Sequence, residues 1–489
     1  MKYWLFIVLT CLLTEPLLAQ KISISASQKM SNRTPHFDIL GKCNLGVFIH
    51  KYGDNKNTVE AYNDRMELKW VQELPLPSNE CRVMQLTLYP KELAYFYLKP
   101  TDDKRSILFY KAVTADLSSN LQRNAIDTFS KPPEKISNQL NVKEAANLTY
   151  FMVTKKKEEK NDNLKNAEVT IVNKDGDINQ HHTLNIDQSA AFQFLKWGGI
   201  DNKGYAHLAV KKDFKERKRD GRQDYYIIHR MPPDSSSSQT IKIRFENPIF
   251  EEPKFQFDQA NYRLTAAAFY KSNKDADPAK GYMFWVYNFA KDKTVLEKYH
   301  PFKANMVYRI TGKDTAKHDN VLYTFKIRDF INRYDGGAIL VAESQFNNTE
   351  DVDQQQTNMP SASPTFRSVK IHYYNDIIIF STNPDGGRDW HSILKKKQVS
   401  ENDDGFYSSY SKLLTGSKLR FIYNEEIFKK TNINEYQVTP TGEVNRKSLF
   451  NSGNQNIMLM PKLAKQISSN EVIIPSYKKN KVSFLKFTY

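Results

Sequence analysis

Residues 168–176, Glu-Val-Thr-Ile-Val-Asn-Lys-Asp-Gly, decide how the chain is read. Five residues rich in β-branched side chains run into a polar turn that ends on glycine. β-Branched residues fit a pleated surface. Asp-Gly supplies the positive φ that a tight hairpin requires. The unit is a strand together with the turn that reverses it.

Working outward, the same unit recurs along the chain. Strand-like runs include 82–89 (RVMQLTLY), 93–98 (LAYFYL), 205–210 (YAHLAV), 282–287 (YMFWVY), 376–380 (DIIIF) and 482–489 (VSFLKFTY). Related turns lie at 201–204 (DNKG), 334–337 (YDGG), 384–387 (PDGG) and 439–442 (TPTG). Each run is short, aromatic or β-branched, and bounded by polar or glycine turns. Helical periodicity is scarce, with residues 321–334 and 390–397 the best short-helix patterns. The chain is therefore expected to be all-β: a β-propeller of antiparallel blades, about seven, with short helices in its loops. Seven blades over residues 20–489 would take about 67 residues each, against the usual ~40–45. Charged or polar loops at 155–165, 211–222, 235–238 and 347–363 absorb the excess. None is long enough for an interdomain linker, so residues 20–489 are read as one domain. The final run, 482–489, suits ring closure, which hides sheet edges. It also resembles the last strand of an outer-membrane barrel, but the charged neighbourhoods of most strands argue against that architecture.

Residues 1–19 read as a secretory leader. Lys2 supplies the positive end, an apolar run follows from residue 3 to residue 13, Pro16 breaks it, and Ala19 offers a cleavage point. The run is short for a span of ~20 residues, and no later segment approaches ~18 consecutive apolar residues. The expected location is outside the cytoplasm: periplasmic, outer-membrane-associated or extracellular. Beyond the leader two cysteines remain, Cys43 and Cys81. An oxidising compartment permits one disulfide between them, and two buried thiols are the alternative. The formal net charge is +16, from 71 Lys and Arg against 55 Asp and Glu. That excess favours anionic surfaces such as lipid headgroups, acidic glycans or acidic proteins, or simply keeps the chain soluble. Nucleic acid is not an expected partner of an exported protein.

Motifs for catalysis are missing. The sequence has no H-E-x-x-H, CxxC, G-x-S-x-G, phosphate loop or dinucleotide fingerprint. The adjacent pair His181 and His182 would point to opposite faces of a strand. The carboxylates near Asp175, Asp275 and Asp403 lack the order of a calcium loop and are explained as well by hairpin turns. No cofactor is expected. The densest functional-looking stretch is Trp390, His391, Lys395, Lys396, Lys397 and Gln398. An indole beside cations suits a sugar ring or an anion. The competing reading places Trp390 and Leu394 in the core, sharing a face at i, i+4, with the lysines solvated.

Residues 335–343 (DGGAILVAE), 389–398 (DWHSILKKKQ), 403–410 (DDGFYSSY) and 419–424 (LRFIYN) together resemble a group of large exported β-propeller-like proteins of Gram-negative bacteria. The resemblance covers mainly residues 325–489. It implies compartment and fold and lends no catalytic residue. The expected function is a non-catalytic interaction or scaffold protein of the cell envelope. It would bind a protein or glycan partner, as an accessory subunit of an outer-membrane complex or alone. The alternative is a secreted propeller hydrolase acting on glycans or peptides, with its acids at the central channel.

Overall fold

A computed structural model describes residues 20–489 except 30–35, 54–55, 159–162, 187–191, 214–224, 248, 250, 272–277, 313–320, 354–365, 428–431 and 456. The expected leader lies outside the described residues, as do Asp275 and parts of three of the charged or polar loops.

Eight antiparallel sheets follow one another among the described residues. Seven are contiguous in sequence: blade 1 (37–73), blade 2 (82–129), blade 3 (140–185), blade 4 (192–243), blade 5 (254–301), blade 6 (325–401) and blade 7 (411–451). Blade 8 is composite. Lys465–Gln466, Glu471–Lys478 and Lys481–Thr488 come from one end of the chain, and Lys21–Ile24 is added as the outer strand from the other. The innermost strands touch their neighbours, and Lys465–Gln466 of blade 8 meets Phe37–Cys43 of blade 1. The ring is thereby closed, and the fold is a β-propeller.

It has eight blades where the sequence suggests about seven. The eighth is hard to read because its inner strand has only two residues and its outer strand is remote in sequence. The run 482–489 does take part in closure: it lies in the last blade and receives the first strand, Lys21–Ile24, as its outer neighbour.

The second and third strands of a blade are covered on both faces, and so they read as continuous apolar runs. Their alternation distributes side chains between two cores. In Gly281–Asn288, Tyr282, Phe284 and Val286 pack toward blade 6, and Met283, Trp285 and Tyr287 toward blade 4. In Glu92–Pro100, Leu93, Tyr95 and Tyr97 face blade 1, and Ala94, Phe96 and Leu98 face blade 3. Eight apolar clusters result, one between each pair of neighbouring blades. The largest fully buried side chains, Trp285, Tyr62, Tyr95 and Tyr97 among them, are aromatic, and each buries a large area. Fully burying one such side chain is worth about 1.5–3 kcal/mol.

The turns share one geometry. In residues 173–176 the Gly176 N–H donates to Asn173 O at 3.0 Å, and Asn173 N–H donates to Asp177 O at 2.9 Å. Gly176 has φ +80°, and a Cβ there would lie 2.1 Å from Cδ1 of Tyr110 in the preceding blade. The same backbone pattern recurs at 63–66 and 101–104, and with one extra residue at 114–117, where Thr114 N–H donates to Ser119 O; Met66, Lys104 and Leu117 take the positive-φ position.

Both expected helices are strands. Residues 325–332 form the inner strand of blade 6, and Arg388–Leu394 forms its outer strand. A spacing of four residues serves both periods: it is one helical turn and also two strand repeats, so Trp390 and Leu394 share a face either way. Blade 6 is exceptional in its two central strands, Ala338–Asp353 and Phe366–Thr382, of 16 and 17 residues. Their distal halves form an arm, against which the short strand Gln398–Glu401 pairs.

Candidate functional site: a cation-lined axial cavity

Each of the eight innermost strands carries at least one Lys or Arg, from Lys42 in blade 1 and Arg82 in blade 2 to Lys412 in blade 7 and Lys465 in blade 8. The charge is thus drawn toward the axis. A cavity of about 970 Å³ opens between the inner strands of blades 1 and 2 and the segment leading into blade 8. A smaller one, about 360 Å³, lies between blades 6 and 7 and the same segment. They share Lys462, Ala464 and Lys465. Lys56, Arg82, Arg328, Lys412, Lys462 and Lys465 line the two cavities, against three carboxylates, Asp38, Glu80 and Asp329.

The shared segment is held from behind. Asn424 donates through Nδ2 to Leu459 O at 2.9 Å and accepts from Leu459 N at 3.2 Å. Met460 N donates to Pro475 O at 2.7 Å. Ile457, Met458, Leu459 and Met460 are all buried, and the chain then turns through a single 3-10 turn, Pro461–Leu463. That turn carries Lys462 into the cavities. The Lys462 ammonium lies 4.1 Å from the centre of the Tyr374 ring, and Nζ donates to Tyr374 Oη at 2.6 Å. Gln345 donates to the same hydroxyl at 2.9 Å. Burial pushes Lys462 down to about 8, helped by the positive charges of Arg328 and Lys396 and opposed by Glu343 and Asp403. Burial also raises the Tyr374 hydroxyl, which keeps its proton. Lys465 donates to Leu40 O at 3.0 Å and so ties blade 8 to blade 1.

Not all of the cations are available. Lys412 is 2.5 Å from Asp329, which also accepts from the Tyr410 hydroxyl at 2.8 Å. Lys56 is 3.9 Å from Glu73, and Arg328 is 3.7 Å from Glu343. Arg82, Lys462 and Lys465 have no carboxylate within 4.0 Å among the described residues. Among the described residues, three cations without a carboxylate partner therefore border the larger cavity, and groups of this kind suit an anion: guanidinium can grip a carboxylate or phosphate bidentately, and ammonium adds point charge.

The six residues singled out in the sequence do not share one surface. Trp390 packs toward blade 7, where its Nε1 donates to Pro440 O at 2.8 Å and its ring covers Gly442. His391 is on the opposite face of the strand, and burial with Arg388, Lys303 and Arg309 nearby depresses its pKa. Lys395 reaches Asp376 and Arg309 O, both at 2.7 Å. Lys397 is exposed. Lys396 is fully buried 2.8 Å from a fully buried Glu343, and it donates to Tyr374 O at 2.9 Å and Gln398 Oε1 at 2.8 Å. Gln398 in turn donates to Asn424 O at 2.5 Å. Lys396, Gln398 and Glu343 are thus the polar support behind the cavity. Cys43 and Cys81 are free thiols in the core between blades 1 and 2, and Cys81 also borders the larger cavity. Sequence reading misses Arg82, Lys462 and Lys465, which are solitary in sequence and converge only when the ring closes.

Among the described residues, no helix is long and apolar enough to cross a membrane. No protein family and no curated protein matches the chain. Among solved structures it is similar to a protein of unknown function from Bacteroides caccae, at 12% identity and TM-score 0.27, over 73% of this chain and 93% of that one. It is also similar to the propeller domain of the Trilobed protease from Pyrococcus furiosus, at 9% identity and TM-score 0.25, over 83% and 93%. A PL25 ulvan lyase shows 8% identity and TM-score 0.37, over 82% and 90%. Such values carry no residue and no activity from those proteins to this chain.

Proposed function

We propose that this propeller is an exported, non-catalytic binding protein of the cell envelope whose axial cavity receives an acidic glycan. The observation that carries the reading is the trio Arg82, Lys462 and Lys465, which have no carboxylate partner among the described residues and line a cavity of about 970 Å³. A concavity of that volume suits a short stretch of saccharide. A protein partner would need about 800 Å² of surface on each side. A uronate carboxylate facing Arg82 would form charge-assisted hydrogen bonds, which are roughly twice as strong as neutral ones.

Calorimetric titration of the exported chain, residues 20–489, with a uronic-acid oligosaccharide tests the reading. The expected result is binding that weakens with salt, is absent for a neutral oligosaccharide of equal length, and falls at least tenfold in Arg82→Gln/Lys465→Gln. Equal affinity for the neutral sugar, or an unchanged affinity in the double variant, would overturn it.

A further inference from the structure

We propose that Lys462 is a carbonyl-capturing amine, which condenses with an aldehyde or ketone that also bears an acidic group and holds it in the axial cavity as an imine. The inference rests on reading the cavity as an anion receptor and adds the bond formed within it.

Lys462 lines both cavities, at the segment they share. Its Nζ has no carboxylate within 4.0 Å among the described residues and has the Tyr374 hydroxyl as its hydrogen-bond partner. Gly405 gives the amine room, since a Cβ there would fall 2.9 Å from Nζ. Burial is the largest influence on it and disfavours the ammonium, as do Arg328 and Lys396, while Glu343 and Asp403 favour it. With a pKa of about 8, the amine is neutral in an appreciable fraction of molecules at neutral pH. An ordinary lysine near 10.4 is neutral in fewer than about one in a thousand. Neutral amines are the nucleophiles of Schiff-base chemistry, and desolvation beside other cations is how proteins obtain them.

The step balances without an oxidant or reductant. The Nζ lone pair adds to the carbonyl carbon, the carbonyl π pair takes a proton, and the carbinolamine loses water to leave C=N. Water reverses it. Tyr374 Oη, 2.6 Å from Nζ, is placed to relay the proton. Arg82 and Lys465 remain to hold the acidic group. The ligand class is an α-keto acid or an aldehyde carrying carboxylate or phosphate.

The test uses residues 20–489 and pyridoxal 5′-phosphate as probe, with borohydride trapping and peptide mass mapping. One dominant adduct at Lys462 is expected. It should rise with pH about a midpoint near 8, compete with inorganic phosphate, and vanish in Lys462→Arg. Tyr374→Phe, checked for folding by circular dichroism, should form the same adduct more slowly. If unphosphorylated pyridoxal labels Lys462 equally well, the amine assignment holds and the anion reading of the cavity falls. If pyridoxine 5′-phosphate, which has no aldehyde, binds while pyridoxal 5′-phosphate leaves Lys462 unmodified, the cavity stands and the amine proposal falls. Adducts scattered over surface lysines with no preference for Lys462 also overturn it.

Discussion

Replacing Lys396 with methionine keeps the volume of the side chain and removes the charge that faces Glu343. Both side chains have no exposed surface, and the ammonium stands 2.8 Å from the carboxylate. The methionine would also remove the hydrogen bonds that Lys396 donates to Tyr374 O and Gln398 Oε1, although Gln398 Oε1 would keep the one from Ser409 N at 2.8 Å. Glu343 would keep Ser409 Oγ at 2.6 Å and Arg328 at 3.7 Å, the latter too far for a full hydrogen bond. A buried pair broken from one side typically costs about 3–5 kcal/mol, because a charge is left uncompensated. The pair itself is a poor source of stability: burial pushes Lys396 below its ordinary value even with Glu343 beside it. Removing both charges should therefore cost far less than removing one. Lys396→Met is expected to lose about 3–4 kcal/mol and Glu343→Gln/Lys396→Met about 1–2 kcal/mol, so the second substitution should recover roughly 2 kcal/mol of what the first removes. Urea unfolding followed by tryptophan fluorescence measures all four corners of the cycle. A Lys396→Met variant within about 1 kcal/mol of wild type, or a double variant as unstable as the single, would refute the reasoning.

Two further outcomes follow from geometry and charge. Gly176→Ala should destabilise by about 2–5 kcal/mol, from the left-handed backbone and the overlap with the Tyr110 ring. Gly416→Ala, at ordinary φ in open space, should stay within about 0.5 kcal/mol, and equal urea midpoints for the two would contradict the turn packing. Lys462 titrates near 8 in the folded chain and near its ordinary 10.5 when unfolded. Between those values the unfolded state binds more protons, so stability rises with pH through that window. The difference in unfolding free energy between wild type and Lys462→Met should therefore grow in favour of wild type from pH 7.5 toward pH 9.5, and a flat difference would show that burial does not depress this amine.

How much was legible in the sequence depended on whether each signal was local. The runs 93–98 and 282–287 announce strands because both of their faces are buried and the whole run is apolar. Turns ending on Gly176, Gly204 or Gly442 declare themselves. Equivalent turns ending on Met66, Lys104 or Leu117 do not, because a non-glycine residue occupies the left-handed position. The blade count fails at the composite blade, whose five strands, Gln28–Lys29 among them, come from two stretches remote in sequence. The site fails for a related reason. Lys395, Lys396 and Lys397 attract attention as a run, yet they form the link between the strands Arg388–Leu394 and Gln398–Glu401, and one ends in the core and two in solvent. Arg82, Lys462 and Lys465 lie in three unrelated local contexts, and only ring closure brings them to one concavity. Trp390 is a blade-to-blade clamp, a role invisible without knowing that Gly442 lies beneath it.

Lys21–Ile24 completes its sheet only by lying against Lys481–Thr488, and Gln20 reaches Tyr489 across 469 positions of chain. On a ribosome, the strand that emerges first must wait for the one that emerges last. Until then the stack of blades is an open arc with two bare flanks, displaying Phe37 at one end and Phe484 at the other. Loop-closure entropy for so long a separation makes this the slow, late event of folding. Truncated or stalled chains should consequently aggregate through these two greasy flanks, which the finished ring buries against each other.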